Sequence, residues 1–166
     1  DFTDERGEIG PMLMGDLGAD VIRVETPSGS KARRAPPFLE TDKTDLRSLQ
    51  FLAFNRNKRS ICLDPSSDAD KAILAALIAR TDFIVESSQQ LKSTWGVSFD
   101  DAKALNPHLV HVRITAFGSD GPYAEMKAAD LTIVSMAGPV ALQGVPGRPP
   151  LRISVPQVWR HAGVEA

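Results

Sequence analysis

Leu17-Gly18-Ala19-Asp20-Val21-Ile22-Arg23-Val24-Glu25 is answered, after a long polar interval, by Asn55-Arg56-Asn57-Lys58-Arg59-Ser60-Ile61-Cys62-Leu63-Asp64. Val21, Ile22 and Val24 make a short apolar run that ends at Glu25-Thr26-Pro27, which reads as a buried strand followed by a breaker. Ser60 to Leu63 reads as a second strand, with cations gathered where it begins. Such a gathering, in a chain of slightly acidic balance, suits a small ligand that carries phosphate. The interval 26–48 is rich in Pro, Ser, Lys and Arg and reads as one long loop. Loops of that length in compact domains are often functional.

Working outward, strand and helix signals alternate. Residues 8–18 read as a helix. Pro65-Ser66-Ser67-Asp68 opens another, with Ala69, Ala72, Ile73, Ala76 and Leu77 on one face. Asp68 and Asp70 lie at its positive end and Arg80 at its negative end, as the helix dipole favours. Phe83-Ile84-Val85 is a third strand. Ser98-Phe99-Asp100-Asp101 resembles a capping box for a short helix that stops at Asn106-Pro107. Leu109 to Thr115 is a fourth strand, running into the turn Gly118-Ser119-Asp120-Gly121-Pro122. A helix near 128–137 and a Gly- and Pro-rich loop over 138–150 follow. This order predicts an α/β fold with a mostly parallel sheet. Ligands of such sheets sit beyond the carboxyl ends of the strands, here Glu25 to Pro27, Glu86 to Ser88 and Ala116 to Gly121.

Composition narrows the function classes. The 166 residues suit one domain with a real core, and 42 % are hydrophobic. Apolar runs stay short of the ~20 residues that span a bilayer, so no membrane partner is expected. A net charge of -2 gives no basis for bulk nucleic-acid binding. The lone Cys62 excludes an internal disulfide framework and fits a reducing cytoplasm; within a strand it is expected to be buried and inert. His108, His111 and His161 are too scattered for a metal site. The chain opens on Asp1 and stops at Val164-Glu165-Ala166, inside a helical stretch, so residues 1–166 are expected to be the first part of a longer chain.

Gly15 to Glu25, Asn55 to Asp64, Thr81-Asp82-Phe83-Ile84-Val85-Glu86, Leu105-Asn106-Pro107, and Ile114-Thr115-Ala116-Phe117-Gly118 with Gly121-Pro122-Tyr123 occur together. Their order and spacing resemble the family III coenzyme A transferases, the CaiB/BaiF group, which includes formyl-CoA transferase, carnitine CoA-transferase and α-methylacyl-CoA racemase. The resemblance covers almost the whole chain. It implies a Rossmann-like large domain with a mostly parallel sheet, of which this chain is the N-terminal part. It also implies an interlocked dimer, with a second copy or a related subunit as partner. The implied activity moves CoA between an acyl-CoA thioester and a carboxylic acid. CoA enters as substrate, with no permanently bound cofactor. The family's aspartate attacks the thioester to give a mixed anhydride and a thiolate, splitting one hard exchange into easier steps.

Lys58 and Arg59 are suited to CoA phosphates, a mobile point charge beside a rigid fork. The plain alternative is a structural loop with Arg59 paired to a carboxylate such as Asp64. By resemblance, Leu63 matches a position that meets the coenzyme through its strand end, and Lys127 a lysine near the pantetheine and acyl end. By side chain alone they read as core and as an exposed helix-start residue. Arg33 and Arg34 are candidates for the nucleotide 3'-phosphate, or for a solvated loop.

The chain departs from the family pattern in three places. Where a Pro-x-x-Asp nucleophile is expected, Pro156-Gln157-Val158 leads to Trp159, and indole does not attack a thioester. No catalytic residue is therefore assigned. The arginine expected near the adenine is replaced in Thr94-Trp95-Gly96, with Lys92 close by. Ala129-Asp130 lacks the histidine a racemase needs as base. Two readings stand: a CoA-transferase-like protein, or a non-catalytic subunit that keeps the fold. A nicotinamide dehydrogenase is discounted because no Gly-x-Gly-x-x-Gly follows a strand.

Overall fold

The computed structural model describes residues 1–39, 47–153 and 155–166. Helix α1 (Ile9–Asp16) leads into strand β1 (Val21–Glu25). A 3-10 turn over Lys31–Arg34 precedes β2 (Phe38–Leu39), β3 (Arg47–Ser48) and α2 (Leu49–Phe54). Then come β4 (Lys58–Cys62), α3 (Asp68–Ile78), β5 (Phe83–Ser87), α4 (Gln90–Trp95), α5 (Phe99–Leu105) and β6 (Val110–Ile114). The chain closes with α6 (Asp130–Met136), a 3-10 turn over Pro139–Leu142 and α7 (Val158–Glu165).

β1 runs parallel to β4, in register from Val21–Lys58 to Glu25–Cys62, and β5 runs parallel to β6, from Phe83–Val110 to Ser87–Ile114. Residues 1–3 join the two pairs. The Asp1 nitrogen donates to the Ile22 carbonyl (2.8 Å), and the Val24 N–H donates to the Asp1 carbonyl (3.1 Å). On the other side the Phe2 N–H donates to the Val85 carbonyl (2.8 Å). The mixed architecture with parallel main strands is the expected fold class. The interval read as one loop instead carries the 3-10 turn, the short antiparallel pair of β2 and β3, and α2; residues 40–46 lie outside the described residues.

Local chemistry sets the helix ends. Ser98 Oγ accepts from the Asp101 N–H (3.1 Å) while Asp101 Oδ2 accepts from the Ser98 N–H (2.9 Å), the reciprocal cap expected at the start of α5. Asn106, just past α5, donates its side-chain amide to the carbonyls of Ile78 (3.2 Å) and Thr81 (2.7 Å). It thereby ties the end of α5 to the end of α3 and to the turn that follows it.

The core gathers Leu63, Leu74, Ile78, Ile84, Leu91 and Trp95 between the strands and helices α3, α4 and α5. Each fully buried Leu or Ile contributes about 1.5–3 kcal/mol. On α3 the buried residues are Leu74 and Ile78, one step round from the face expected from Ala69, Ala72, Ile73, Ala76 and Leu77. That helix is apolar nearly all round, and the larger side chains take the core because they remove more area from water. Ile73, Ala76 and Leu77 line a groove of about 880 Å³ together with Met14, Val21 and Phe83. Cys62, expected to be buried, is exposed. Pleating turns its neighbour Leu63 to the core, and among the described strands β4 pairs on one side only, with β1.

Candidate functional site

A crevice of about 540 Å³ opens beyond the carboxyl ends of β1 and β5. Its walls are the turn after β1, from Thr26 through Lys31 to Arg34, and the start of α4, from Ser88 through Thr94. Between them lies the loop after Phe2, with Thr3, Asp4 and Arg6. This is where an open parallel sheet leaves strand-end groups and helix starts facing a common space. Ser88 has a φ of 61°, a left-handed conformation unusual for serine, and its N–H donates to the Ile114 carbonyl (2.7 Å). The chain thus turns sharply from β5 into α4. Gly96, φ 70°, ends α4 in the left-handed cap that glycine adopts without a side-chain clash.

Beneath the crevice is a closed cluster of charges. Arg23, its side chain 3 % exposed, donates to Asp1 Oδ2 (3.2 Å), Asn55 Oδ1 (2.9 Å), the Thr3 carbonyl (3.0 Å) and Glu25 Oε1 (3.3 Å), and pairs with Glu8 Oε1 (3.1 Å). A charge inside an apolar strand survives only when paired in this way. Burial raises the Glu8 carboxyl above its ordinary value, against the pull of Arg23. Glu25 is also pushed up by burial, yet the fork from Arg33 (2.7 and 2.8 Å) and the Ser30 N–H (2.9 Å) hold it below the usual range. Arg33 and Arg23 flank the Phe51 ring, 4.1 and 5.3 Å from its centroid.

Each residue expected at the site has a definite place. The Lys58 amine is buried, donating to Asp1 Oδ2 (3.0 Å), Asn55 Oδ1 (3.0 Å) and the Glu8 carbonyl (2.8 Å). Burial, then the Arg23 charge, lower it to about 7. Arg59 is exposed and forks Asp20, with Nε 2.8 Å from Oδ1, rather than Asp64. Leu63 is core, at the carboxyl end of β4. Lys127 is exposed just before α6. Arg33 is engaged with Glu25, while Arg34 lines the crevice and donates Nη2 to the Ser28 carbonyl. The fold therefore brings Arg34 to the crevice and places Lys58 in the closed cluster below it.

Three features were not read from the sequence. One is Glu86, fully buried at the end of β5. It accepts from the Leu91 N–H (2.8 Å) and Arg113 Nε (2.8 Å) and lies 2.9 Å from His111 Nε2. Burial pushes this carboxyl up, but the bonds from His111, the Leu91 N–H and Arg113 outweigh it and hold it low. Glu86 thereby anchors α4, one wall of the crevice. Another is the pair Asp4 and Arg6. Burial raises Asp4, but the Arg6 bonds outweigh it and keep it ionised. The third is the crossing of α1 and α7. A methyl on Gly163 would lie 2.6 Å from Ile9 Cγ2 and 3.2 Å from the Gly7 carbonyl. Only a bare backbone fits there. Asp130 Oδ1 accepts from the Val158 N–H (2.7 Å) and fixes the start of α7. Trp159 then lies beneath the Arg6 guanidinium, 5.8 Å from ring centroid to charge. An arginine within an apolar strand, and acids crowded before α1, were the signals available for these networks.

The site is thus a crevice at the strand ends of a parallel α/β layer, lined by more cations than carboxylates. Residues 6–166 match CoA-transferase family III, and the chain belongs to that family. It is 34 % identical over 147 residues to a succinate–glutarate CoA-transferase of Agrobacterium fabrum, covering 86 % of this chain and 37 % of that protein. It is 33 % identical over 164 residues to the BbsE subunit of succinyl-CoA:(R)-benzylsuccinate CoA-transferase from Thauera aromatica, covering 96 % and 40 %. The crystal structure of a CaiB/BaiF family protein from Brucella suis superimposes with a TM-score of 0.80 at 34 % identity, over 95 % of this chain and 43 % of that one. The chain thus spans well under half the length of these proteins. Among the described residues no helix is long and apolar enough to cross a membrane, and no group of three or more His, Cys, Asp or Glu is placed to hold a metal ion.

Proposed function

We propose that the protein moves CoA between an acyl-CoA thioester and a carboxylic acid, and that the coenzyme lies in the crevice beyond β1 and β5. The carrying observation is the crevice itself, which offers Lys31, Arg34 and a row of hydroxyls at the ends of parallel strands. Lys31 and Arg34 are the groups we assign to the phosphates. Leu63 supports the coenzyme through its strand end. Lys58 acts from below, by fixing Asn55 and Asp1. Arg59 and Lys127 are left as outlying cations. The two relatives described above are named for succinate, glutarate and benzylsuccinate, all dicarboxylic acids, so we carry that class over as the acids to try first. In the exchange the donor's carbon–sulfur bond breaks, one forms on the acceptor carbonyl, and the acceptor's oxygen leaves with the released acid.

Calorimetric titration of the full-length protein with CoA and with dephospho-CoA tests the reading. Micromolar CoA binding that weakens on loss of the 3'-phosphate, and in the Arg34→Gln variant, supports it. Absence of binding at millimolar CoA defeats it.

A second reading is favoured by Trp159. The first turn of α7 offers an indole over Arg6, and the carboxylate on that helix, Glu165, is exposed at its far end. On this reading the chain binds CoA but needs a related subunit for exchange, in an assembly of two unlike chains. One relative is itself a subunit. Isolated and co-expressed protein would then differ: exchange of labelled succinate into succinyl-CoA appears only in the mixture. Turnover by the isolated protein excludes the second reading.

A further inference from the structure

Arg6 uses two of its five guanidinium N–H donors on Asp4. Nε donates to both Asp4 oxygens, Oδ1 at 2.8 Å and Oδ2 at 3.0 Å, and Nη2 donates to Oδ2. Asp4 therefore takes the side-on edge of the guanidinium. The end-on edge, formed by Nη1 and the second hydrogen of Nη2, makes no hydrogen bond among the described residues. Two parallel donors at that edge match the two oxygens of a carboxylate.

The fork is held in place. Asp4 is buried, its N–H donates to Ser87 Oγ (3.2 Å), and Gln90 Nε2 approaches Oδ2 at 3.5 Å. Trp159 backs the guanidinium as a flat apolar surface that favours the cation and keeps water from one face. Arg6 keeps 31 % of its side chain open and lines the crevice. The local field favours an anion. The crevice is lined by four cations, Arg6, Arg23, Lys31 and Arg34, against two carboxylates, Asp4 and Glu25. Of these, Arg23 is fully engaged below, and Lys31 and Arg34 belong to the turn after β1. That leaves Arg6 as the forked donor beside α7.

We propose that the end-on edge of Arg6 is a substrate subsite that holds the free carboxylate of a dicarboxylic acid, or of its mono-CoA thioester, while the other carboxyl is the one exchanged. This rests on the CoA-transferase reading and adds to it the residue that selects acids with a second charge. Asp4 aims the guanidinium and Trp159 floors it. The arrangement also gives Trp159 a role that requires no nucleophile.

The test is a pair of titrations on the full-length protein, wild type, Arg6→Gln and Arg6→Lys, with succinate and with butyrate, each repeated in the presence of CoA. Wild type is expected to favour succinate by at least about tenfold, 1.4 kcal/mol. Arg6→Gln should bring the ratio close to one, and Arg6→Lys, a point charge without a fork, should fall between. CoA affinity should stay within about twofold, since the phosphates are assigned to other side chains. Thermal midpoints check that each variant folds; if Arg6→Gln does not, the graded loss in Arg6→Lys carries the comparison. A wild type indifferent to the second carboxylate overturns the inference. So does an unchanged ratio in both variants, or a loss of CoA binding without loss of the ratio, which would make Arg6 a phosphate ligand. Failure of CoA to bind wild type counts against the CoA reading instead, and the succinate-to-butyrate ratio still decides the role of Arg6.

Discussion

Two groups of cations sit a few residues apart in this chain and behave oppositely. Around Arg23 and Lys58 every donor is turned inward, onto Asp1, Glu8, Glu25 and Asn55, and the side chains are 1–3 % exposed. Around the crevice, Arg6 and Arg34 keep donors without a partner among the described residues, and Lys31 stands exposed. The same residue types serve as framework in one place and as a ligand surface in the other. What separates them is desolvation. A cation out of water must be matched by fixed oxygens, and once matched it has nothing left to offer a ligand.

The strongest way to break this contrast is to empty the closed cluster. Arg23→Ala would leave Asp1, Glu8 and Glu25 buried without their common partner. Removing one member of a buried ionic network costs about 3–5 kcal/mol. We expect urea unfolding of the variant to show a loss in that range. A loss below about 1 kcal/mol would mean that water or a rearranged side chain reaches the cluster, and that it is not closed.

The two halves were not equally legible in the sequence. The runs at Val21 and Ser60, the capping box at Ser98 and the parallel order could be read because each depends on near neighbours. The separation of the clusters could not. Lys58 and Arg59 are adjacent, yet pleating sends one into the protein and the other to solvent, where it meets Asp20 from the turn before β1. Their difference is a property of the β1–β4 register, not of composition. Arg6 was missed for a similar reason. It lies in a short charged loop with no periodicity, and its value comes from contacts with Ser87, Gln90 and Trp159, which are remote in sequence. The face of α3 was misjudged because alanines mark an apolar stripe without saying which stripe carries the bulk.

The open half depends on where α7 sits. Gly163→Ala places a methyl 2.6 Å from Ile9 Cγ2, so α1 and α7 must separate or Ile9 must shift. Overpacking of this kind costs about 1–3 kcal/mol. The expected outcome is a lower thermal midpoint together with weakened preference for succinate over butyrate, because Trp159 moves from under Arg6. If stability falls and the preference stays, Trp159 is not the floor of that subsite.

A finer probe of the closed half is pH. The Lys58 amine is lowered from 10.5 to about 7 in the fold, by burial and then by the Arg23 charge, with Glu8 opposing. Between those values the unfolded chain binds the proton and the folded one does not. Stability from this group therefore rises with pH from about 7 toward 10.5, and its slope vanishes below 7, where both states are protonated. One proton limits the slope to about 1.4 kcal/mol per pH unit. Asp1, Glu8, Asn55 and Arg23 surround the amine, and burial raises the Glu8 carboxyl and lowers the Arg23 guanidinium. Subtracting the unfolding free energy of Lys58→Met from that of wild type, at pH 7, 8 and 9, should give a rising difference. A flat difference would show that the amine keeps its proton in the fold, and the cluster would be wetter than its geometry implies.

The smallest effect belongs to Arg59, and it sharpens the contrast at its border. Arg59 sits next to Lys58 in sequence, but its side chain is 67 % exposed and its partner Asp20 is 68 % exposed. Pairs of that kind contribute about 0–1 kcal/mol and are screened by salt. Arg59 also lies at the amino end of β4, paired with Ile22, whereas the crevice opens beyond Glu25 at the other end of the ladder. Arg59→Gln should therefore leave both the urea midpoint and CoA affinity nearly unchanged, with any loss below about 0.5 kcal/mol and abolished at 0.5 M salt. Arg34→Gln, measured beside it, should weaken CoA several-fold. If the order is reversed, the coenzyme's phosphates lie on the amino-end rim of β4, and the crevice takes some other part of the substrate.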